Sequence, residues 1–330
     1  MIDNLNFNHV YHEPIVIDNE SIFPGEHALV QMNVGRLPSD TKIDIAAHIF
    51  RSKNPGPCVL LLGGVHGDEI NGIEVVRRAL EERIFSNLDR GSVIAIPLLN
   101  VFGFINFSRE VPDGKDVNRS FPGTSRGSLA SRVANTLTKK ILPYVDIAID
   151  YHTGGASRFN YPQIRYSRVD KKAEELAIVF GTKFIVQKPL IAKSFRKTAR
   201  LNKIPTLVYE GGESVRLNGH AISVGLQGMK RVFAHLEMTH QHTFNNLTKS
   251  IIVKKTSWLR APYSGIFIWS KSSGHYVKKG EPLGELKDAY GQKSITVSAS
   301  REGYIIGHSN ASVVNQGDAL FHIGYETVDV

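Results

Sequence analysis

The stretch Cys58-Val-Leu-Leu-Leu-Gly-Gly-Val-His-Gly-Asp-Glu69 decides the fold of this chain. Its first five residues, Cys58–Leu62, form an apolar run typical of a strand that is buried on both faces of a parallel sheet. Two glycines then lead to His66 and Glu69, whose side chains can bind a metal. Apolar residues follow at helical spacing: Ile70, Ile73, Val76, Leu80 and Ile84. The pattern predicts a strand followed by an amphipathic helix.

The combination of a strand, glycines and a reactive side chain recurs twice. Val145–Ile149 predicts a second buried strand, and His152 follows it within Asp150-Tyr-His-Thr-Gly-Gly155. Ile204–Tyr209 predicts a third strand, which ends at Glu210 before two glycines. In open α/β sheets the carboxyl ends of the strands converge on one crevice, so these distant side chains are expected to meet there.

The residue types at these three places are those of a hydrolytic zinc site. Two histidines and one glutamate are a known set of three protein ligands, with a fourth position left for water. We therefore predict that His66, Glu69 and His152 bind one zinc ion per chain. A carboxylate beside such a water acts as general base, and Glu210, which ends its strand, is preferred over Glu213. A single His-x-x-Glu is weak evidence, because acidic residues are common at helix starts without any metal.

A fourth motif lies in the long turn-rich segment Arg109–Gly123. Long ordered loops are usually functional. Asn118 and Arg119 offer the amide and guanidinium donors that hold a carboxylate. The alternative is a surface arginine beside an asparagine turn, which the neighbouring metal motifs make less plausible.

Taken in order, the four motifs resemble those of the succinylglutamate desuccinylase and aspartoacylase family, which is related to the zinc carboxypeptidases. They span roughly residues 56–215. The resemblance implies that His66, Glu69 and His152 are the zinc ligands and that Glu210 is the general base. It also implies hydrolysis of the amide bond of a small N-acyl amino acid.

Further residues acquire roles from the same resemblance. Asn118 and Arg119 correspond to the pair that holds the substrate carboxylate, and Arg109 to the arginine that stabilises the carbonyl oxygen in the transition state. Arg196 is a further substrate-binding candidate, because it resembles a position that reads Ser-Leu-Arg in relatives. Two alternatives stay open: a metallocarboxypeptidase acting on short peptides, and a catalytically silent binding protein of the same fold.

The chain has 330 residues, of which 42% are hydrophobic, and it is long enough for two domains. Over residues 1–250, alternating strands and helices predict an α/β fold with a mixed, mainly parallel sheet flanked by helices, like that of the zinc carboxypeptidases. Over residues 251–330, short strands and glycine turns predict a smaller all-β domain. A weak repeat there resembles the biotinyl and lipoyl barrel-sandwich fold, but Lys287-Asp-Ala-Tyr290 replaces the motif of the modified lysine.

The charge balance favours an anionic small molecule as substrate. Forty Lys and Arg against 31 Asp and Glu give a net charge of +9. The basic residues are scattered and no nucleic-acid motif accompanies them, so nucleic acid is the weakest interpretation. Arg158, Arg165 and Arg196 lie between His152 and Glu210, where they could anchor such a substrate.

Other features predict a cytoplasmic protein. No apolar stretch is long enough to span a bilayer, and the polar N-terminal residues do not form a signal peptide, so no membrane partner is expected. The single cysteine, Cys58, lies within an apolar run and predicts a buried, inert thiol. The oligomeric state is left open, with a homo-oligomer among the alternatives.

Overall fold

The computed structural model of the chain describes residues 11–240 and 249–330. The strands are β1 (Ile15–Ile17), β2 (Glu20–Ile22), β3 (His27–Arg36), β4 (Lys42–Arg51), β5 (Cys58–Leu62), β6 (Ser92–Ile96), β7 (Ile147–Gly154), β8 (Arg158–Tyr166), β9 (Phe184–Gln187), β10 (Thr206–Glu213), β11 (Ile251–Arg260), β12 (Gly265–Trp269), β13 (Tyr276–Val277), β14 (Pro282–Lys287), β15 (Ser294–Ser298), β16 (Gly303–Ser309), β17 (Val313–Val314) and β18 (Ala319–Asp329). The α-helices are α1 (Ile70–Glu81), α2 (Val101–Ile105), α3 (Leu129–Thr136), α4 (Lys171–Phe180), α5 (Phe195–Leu201) and α6 (Gly219–His235). Single turns of 3₁₀ helix lie at Val117–Arg119 and Leu142–Tyr144, and a π-helical turn lies at Leu137–Ile141.

Twelve strands form one sheet in the order β13-β16-β18-β11-β9-β8-β10-β7-β5-β6-β4-β3. The four strands β6, β5, β7 and β10 run parallel to one another, and β8, β9 and β11 run parallel to one another in the opposite sense. The remaining neighbours in the order pair antiparallel. A second, four-stranded sheet has the order β15-β14-β12-β17. The prediction of an α/β fold with a mixed sheet is therefore confirmed.

Helices cover both faces of the large sheet. In β5 the side chains of Val59 and Leu61 pack into a cluster with residues of α1, α4 and α6. Cys58, Leu60 and Leu62 pack on the opposite face with residues of α3 and α5. All five side chains are fully buried, as expected for a strand between two helical layers. The free thiol of Cys58 is buried as predicted.

Helix α1 begins at Ile70 as expected, but its buried face differs from the predicted stripe. The buried residues are Asn71, Gly72, Val75, Val76 and Ala79, whereas Ile70, Ile73 and Leu80 are partly exposed. A Cβ on Gly72 would lie 2.7 Å from the Cβ of Tyr151 in β7. Small residues thus allow this face of α1 to lie close to the sheet. The apolar pattern alone did not predict which face of the helix is buried.

Strand β11 continues the large sheet into the C-terminal β region. Its residues Ile251–Val253 pair with β9 on one side, and Ile251–Arg260 pair with β18 on the other. Strand β16 also pairs with β8, with Gly307 opposite Asn160. Apolar residues of the C-terminal strands form a separate buried cluster. The division into two domains at residue 250 stays a prediction.

No helix in the described ranges is both long and apolar enough to cross a membrane. The first ten residues, which contributed to the prediction about a signal peptide, lie outside the described part of the chain.

Candidate active site

The structure brings His66, Glu69 and His152 together in a buried cluster. The Nδ1 atom of His66 lies 2.8 Å from Oε1 of Glu69, and Nδ1 of His152 lies 2.8 Å from Oε2 of the same carboxylate. The three potential ligand atoms all lie within 4.8 Å of one another. Two imidazoles, which can bind a metal in their neutral form, and one carboxylate in this arrangement are a donor set suited to zinc.

Local backbone geometry positions each member of the cluster. His66 lies in the loop after β5, and Glu69 lies at the start of α1. A Cβ on Gly67 would lie 1.9 Å from the carbonyl carbon of Gly103 in α2, so glycine is required for this close approach. The backbone N–H of Thr153 donates to Oε2 of Glu69 over 3.1 Å and fixes the carboxylate against β7.

Two aspartates orient the histidines from the far side. Oδ2 of Asp150 lies 2.9 Å from Nε2 of His152, and Oδ1 of Asp116 lies 3.2 Å from Nε2 of His66. Carboxylates commonly hold metal-binding histidines in this way and leave the other ring nitrogen for the metal. The sequence motifs contained both aspartates without revealing this contact. The contact of Asp150 with His152 could have been predicted from the sequence, because residues two apart in a strand share a face.

Charge interactions within the cluster shift the pKa values of His152 and Glu69. Burial lowers the pKa of His152, but the Asp150 and Glu69 carboxylates raise that pKa well above its ordinary value. Burial raises the pKa of Glu69, but the two histidines lower it well below its usual range. Glu69 is therefore held in its ionised form, which is the form that can bind a cation.

Glu210 lies beside the cluster because of strand register. In the parallel pair of β10 and β7, Glu210 is the partner of His152. Its Oε1 lies 2.6 Å from the guanidinium of Arg165, and its Oε2 accepts a hydrogen bond from Asn160 over 2.8 Å. The rival, Glu213, contacts Asn310 and Arg216 instead and does not line the same cavity.

Arg109 contacts the cluster directly. Its NH1 lies 3.1 Å from Nδ1 of His66 and 3.3 Å from Oε1 of Glu69, and its NH2 lies 2.9 Å from Oδ2 of Asp116. The guanidinium is therefore held at the centre of the site by two carboxylates. This is a suitable position for stabilising negative charge on a substrate oxygen.

Asn118 and Arg119 lie on a 3₁₀ turn capped by Asp116, whose side chain accepts a hydrogen bond from the backbone N–H of Asn118. The amide oxygen of Asn118 accepts a hydrogen bond from the backbone of Phe195 over 2.9 Å, which connects this turn to the start of α5. Arg119 is exposed, and its NH1 donates to the carbonyl oxygen of Asn118 over 2.7 Å. Both side chains line the cavity that contains the cluster.

This cavity has a volume of about 410 Å³. Six cationic side chains line it: Arg109, Arg119, Arg158, Arg165, Lys188 and Arg196. Three carboxylates face them: Glu69, Asp150 and Glu210. The excess of positive charge suits an anionic small molecule. All eight site residues proposed from the sequence therefore line one cavity.

The sequence analysis missed several lining residues, among them one cation and two aromatic side chains. Lys188 follows β9, while Trp258 and His322 come from the C-terminal strands β11 and β18. Their place at the cavity depends on the pairing of strands far apart in sequence, for which the local pattern carried no signal.

Arg196 lies in α5 and is buried in the cavity wall. Its NH2 donates to the carbonyl oxygen of Pro189 over 2.6 Å. Burial and the nearby Arg165 lower the pKa of Arg196 to about 10.

Comparisons with known proteins agree with this geometry. Residues 55–236, more than half of the chain, match the family model of the succinylglutamate desuccinylase/aspartoacylase catalytic domain. The N-alpha-acetyl-L-2,4-diaminobutyric acid deacetylase of Halomonas elongata is 26% identical over 282 residues, which are 81% of this chain and 82% of that protein.

Solved structures have the same fold over nearly the whole chain. A succinylglutamate desuccinylase/aspartoacylase from Rhodobacter sphaeroides is 25% identical, with a TM-score of 0.82 over 94% of this chain and 98% of that one. The product-bound ectoine utilization protein EutE (DoeB) from Ruegeria pomeroyi is 20% identical, with a TM-score of 0.83 over the same shares of the two chains. At this sequence identity, the similarity to EutE (DoeB) shows only that the two chains share a fold.

Proposed function

Because this chain belongs to the succinylglutamate desuccinylase/aspartoacylase family, we propose that it is a zinc-dependent hydrolase that removes the acyl group of a small N-acyl amino acid. The observation that carries the proposal is the position of Glu210 beside His152, within one cation-lined cavity. The relative from Halomonas elongata is named as a deacetylase, which supports the same class of reaction.

His66, Glu69 and His152 would hold the zinc ion. They fit it because both Nδ1 atoms face the Glu69 carboxylate, while aspartates hold both Nε2 atoms. When bound, zinc would supply a Lewis acid that polarises the substrate carbonyl and makes water more acidic.

Glu210 is proposed as the general base. It would accept a proton from water as the water oxygen bonds to the amide carbonyl carbon, and would return the proton to the amine nitrogen as the C–N bond breaks. Arg165 donates to one carboxylate oxygen over 2.6 Å and fixes the orientation of the group. Asn160 fixes the second carboxylate oxygen and so keeps the group beside His152.

Arg109 and the turn at Asn118 and Arg119 would bind the substrate. Arg109 would donate to the carbonyl oxygen as negative charge develops on it, since its NH1 already lies at the cluster. Arg119 and the amide nitrogen of Asn118 would hold the carboxylate of the amino-acid part, because the amide oxygen of Asn118 is already used by Phe195. Arg196 would contribute a further donor to the substrate.

We also propose a domain arrangement. Residues 1–250 would form a mainly parallel, zinc carboxypeptidase-like catalytic domain, since the described helices all lie there. Residues 251–330 would form a β domain of the biotinyl and lipoyl type without the modified lysine, and their own buried cluster supports this.

The function can be tested by a screen of N-acyl amino acids against short peptides with the purified chain, combined with zinc analysis. Release of free amino acid from N-acyl substrates, with about one zinc per chain, is expected. Cleavage of peptides alone would indicate a carboxypeptidase, and binding without turnover would indicate a silent member of the fold.

Replacing Arg119 by Lys is expected to reduce kcat/KM by about 10-fold, because an ammonium cannot reproduce the planar fork that a carboxylate accepts. Converting the substrate's free carboxylate to an amide should reduce kcat/KM strongly for the wild type but little for the variant. The two changes remove the same interaction, so their effects should not add.

Measuring kcat/KM for both enzymes with both substrates completes this double-mutant cycle. Arg216→Lys is a matched control, because Arg216 does not line the catalytic cavity. Strictly additive losses would show that Arg119 does not hold the carboxylate, and Arg196 or Arg165 would then be tested in the same way.

A further inference from the structure

Trp258 places an indole ring on the wall of the catalytic cavity. The side chain comes from β11, and its partner across the ladder is His322 of β18. The two rings stack at 4.2 Å between centroids with their planes 7° apart, so His322 covers one face of the indole. Trp258 is nevertheless 37% exposed, whereas His322 is buried. The other face of the indole is therefore open to the cavity.

The loop between β9 and α5 supplies a second apolar surface. Among the exposed large apolar side chains in the described part of the chain, only Trp258 and Ile191 line this cavity. Ser194 anchors the loop, because its side chain donates to the carbonyl oxygen of Ile191 over 2.8 Å. Pro189 also lines the cavity, and its carbonyl oxygen accepts from Arg196 over 2.6 Å. The loop therefore presents Pro189 and Ile191 from an anchored backbone.

The charges around the indole restrict the kind of group that can bind there. Burial and the nearby Lys188 and Arg165 lower the pKa of His322 well below its usual range, so this ring stays neutral at neutral pH. A cationic group would be repelled by Lys188, whose Nζ lies 3.5 Å from Nε2 of His322. A carboxylate would meet the electron-rich face of the indole. An uncharged apolar group is favoured, because it removes the exposed surface of Trp258 from water.

We propose that Trp258, Pro189 and Ile191 form an apolar subsite of the catalytic cavity, which binds an uncharged apolar group of the substrate. The inference rests on the proposed function and specifies its substrate class. The substrate is an N-acyl amino acid that carries an aromatic or branched aliphatic group, and its carboxylate is held by Asn118 and Arg119. Trp258 then determines specificity, because the indole is the largest apolar side chain of the subsite.

The apolar group has two chemical sources, the amino-acid side chain and the acyl group, and matched substrates distinguish them. N-acetylalanine against N-acetylphenylalanine varies the side chain, and N-acetylalanine against N-benzoylalanine varies the acyl group. With the zinc-loaded full chain, we expect the larger member of one pair to have a kcat/KM at least about 10-fold higher, as is typical of burying an aromatic group. N-acetyllysine carries a cation instead, and its kcat/KM should not exceed that of N-acetylalanine.

Replacing Trp258 by Ala should reduce kcat/KM for the preferred large substrate by about 10-fold and leave that for N-acetylalanine nearly unchanged. This selective loss distinguishes contact with the substrate from a purely structural role, which would reduce both values equally. Trp258→Phe should recover most of the preference, because phenylalanine keeps a flat aromatic face.

Trp269→Ala is the matched control. Trp269 is 39% exposed, and its ring lies 4.7 Å from that of His308, whose pKa is lowered by burial to about 4. Both tryptophans therefore pack against a neutral, buried histidine and are exposed to a similar extent. Trp269 does not line the catalytic cavity, so its removal should leave the apolar preference unchanged.

Indole fluorescence gives a readout that does not need turnover, because the chain has only two tryptophans. In zinc-loaded Glu210→Gln protein that also carries Trp269→Phe, all indole emission comes from Trp258. Addition of N-acetylphenylalanine or N-benzoylalanine, whichever is preferred, should change that emission until the site is saturated. With Trp258→Phe in place of Trp269→Phe, the same addition should leave the emission unchanged.

The outcomes separate this subsite from the proposed function. Hydrolysis without a preference for either large substrate, a preference for N-acetyllysine, or an equal loss for small and large substrates in Trp258→Ala would overturn the apolar subsite and leave the deacylase proposal standing. A change in Trp258 emission without hydrolysis by the wild type would support the apolar contact and overturn the deacylase proposal. The absence of both hydrolysis and a change in emission would overturn both.

Discussion

Replacing Glu210 by Gln is expected to reduce kcat by at least ~100-fold while the protein keeps about one zinc per chain. Glutamine preserves the size of the side chain and an oxygen that can accept from Arg165, but its amide cannot take a proton from water. Asn160 can rotate its own amide to accept from the new NH₂ group, so the local packing should survive. Steady-state turnover and metal analysis of the same preparation measure the two quantities.

Glu213→Gln is the matched control for this substitution. Both glutamates lie in β10, three residues apart, but Glu213 contacts Asn310 and Arg216 and does not line the cavity. Turnover should therefore stay near that of the wild type. Loss of zinc from Glu210→Gln would make Glu210 a ligand, and loss of turnover only in Glu213→Gln would make Glu213 the base.

Replacing His152 by Ala should remove both zinc and activity. The substitution leaves two of the three proposed ligands and also leaves the buried Asp150 without its imidazole partner. We therefore expect a zinc content near zero after dialysis and a kcat reduced by more than ~100-fold. Full zinc occupancy together with full activity would eliminate this cluster as the catalytic site.

Two further variants make the metal experiment specific. Asp150→Asn keeps a hydrogen-bond acceptor beside His152 but removes the charge, and a loss of about 10- to 100-fold in zinc affinity is expected for such a supporting group. His235→Ala removes a histidine from the last turn of α6, away from the cavity, and should leave the zinc content unchanged.

The meeting of His66, Glu69, His152 and Glu210 could be foreseen because it depends on local signals. Apolar runs mark the buried strands, and the parallel arrangement carries their carboxyl ends to one edge. The strands proved longer than the apolar pattern suggested: His152 and Glu210 lie within β7 and β10 rather than after them. Their polar side chains could stay in the strands because each finds a buried partner, Asp150 for His152 and Asn160 for Glu210.

The rest of the site depends on contacts that no local pattern encodes. Lys188 reaches the cavity because β9 pairs with both β8 and β11, and His322 does so through the pairing of β18 with β11. Asp116 lies in an irregular loop 50 residues along the sequence from His66, and their contact depends on the path of that loop. Hydrophobic periodicity describes single elements, so it could not predict such long-range neighbours.

Strand β11 pairs with β9 of the N-terminal part and with β18 of the C-terminal part. This double pairing limits where the chain can be cut to obtain a stable fragment. A fragment ending at residue 250 would leave the backbone groups of β9 unpaired on the side that β11 covers, and would uncover the apolar side chains of Phe184 and Val186. Exposed, hydrophobic strand edges of this kind promote aggregation. Expression of the helical part alone should therefore give insoluble material, and shortened versions for engineering must retain β11 together with its partner β18.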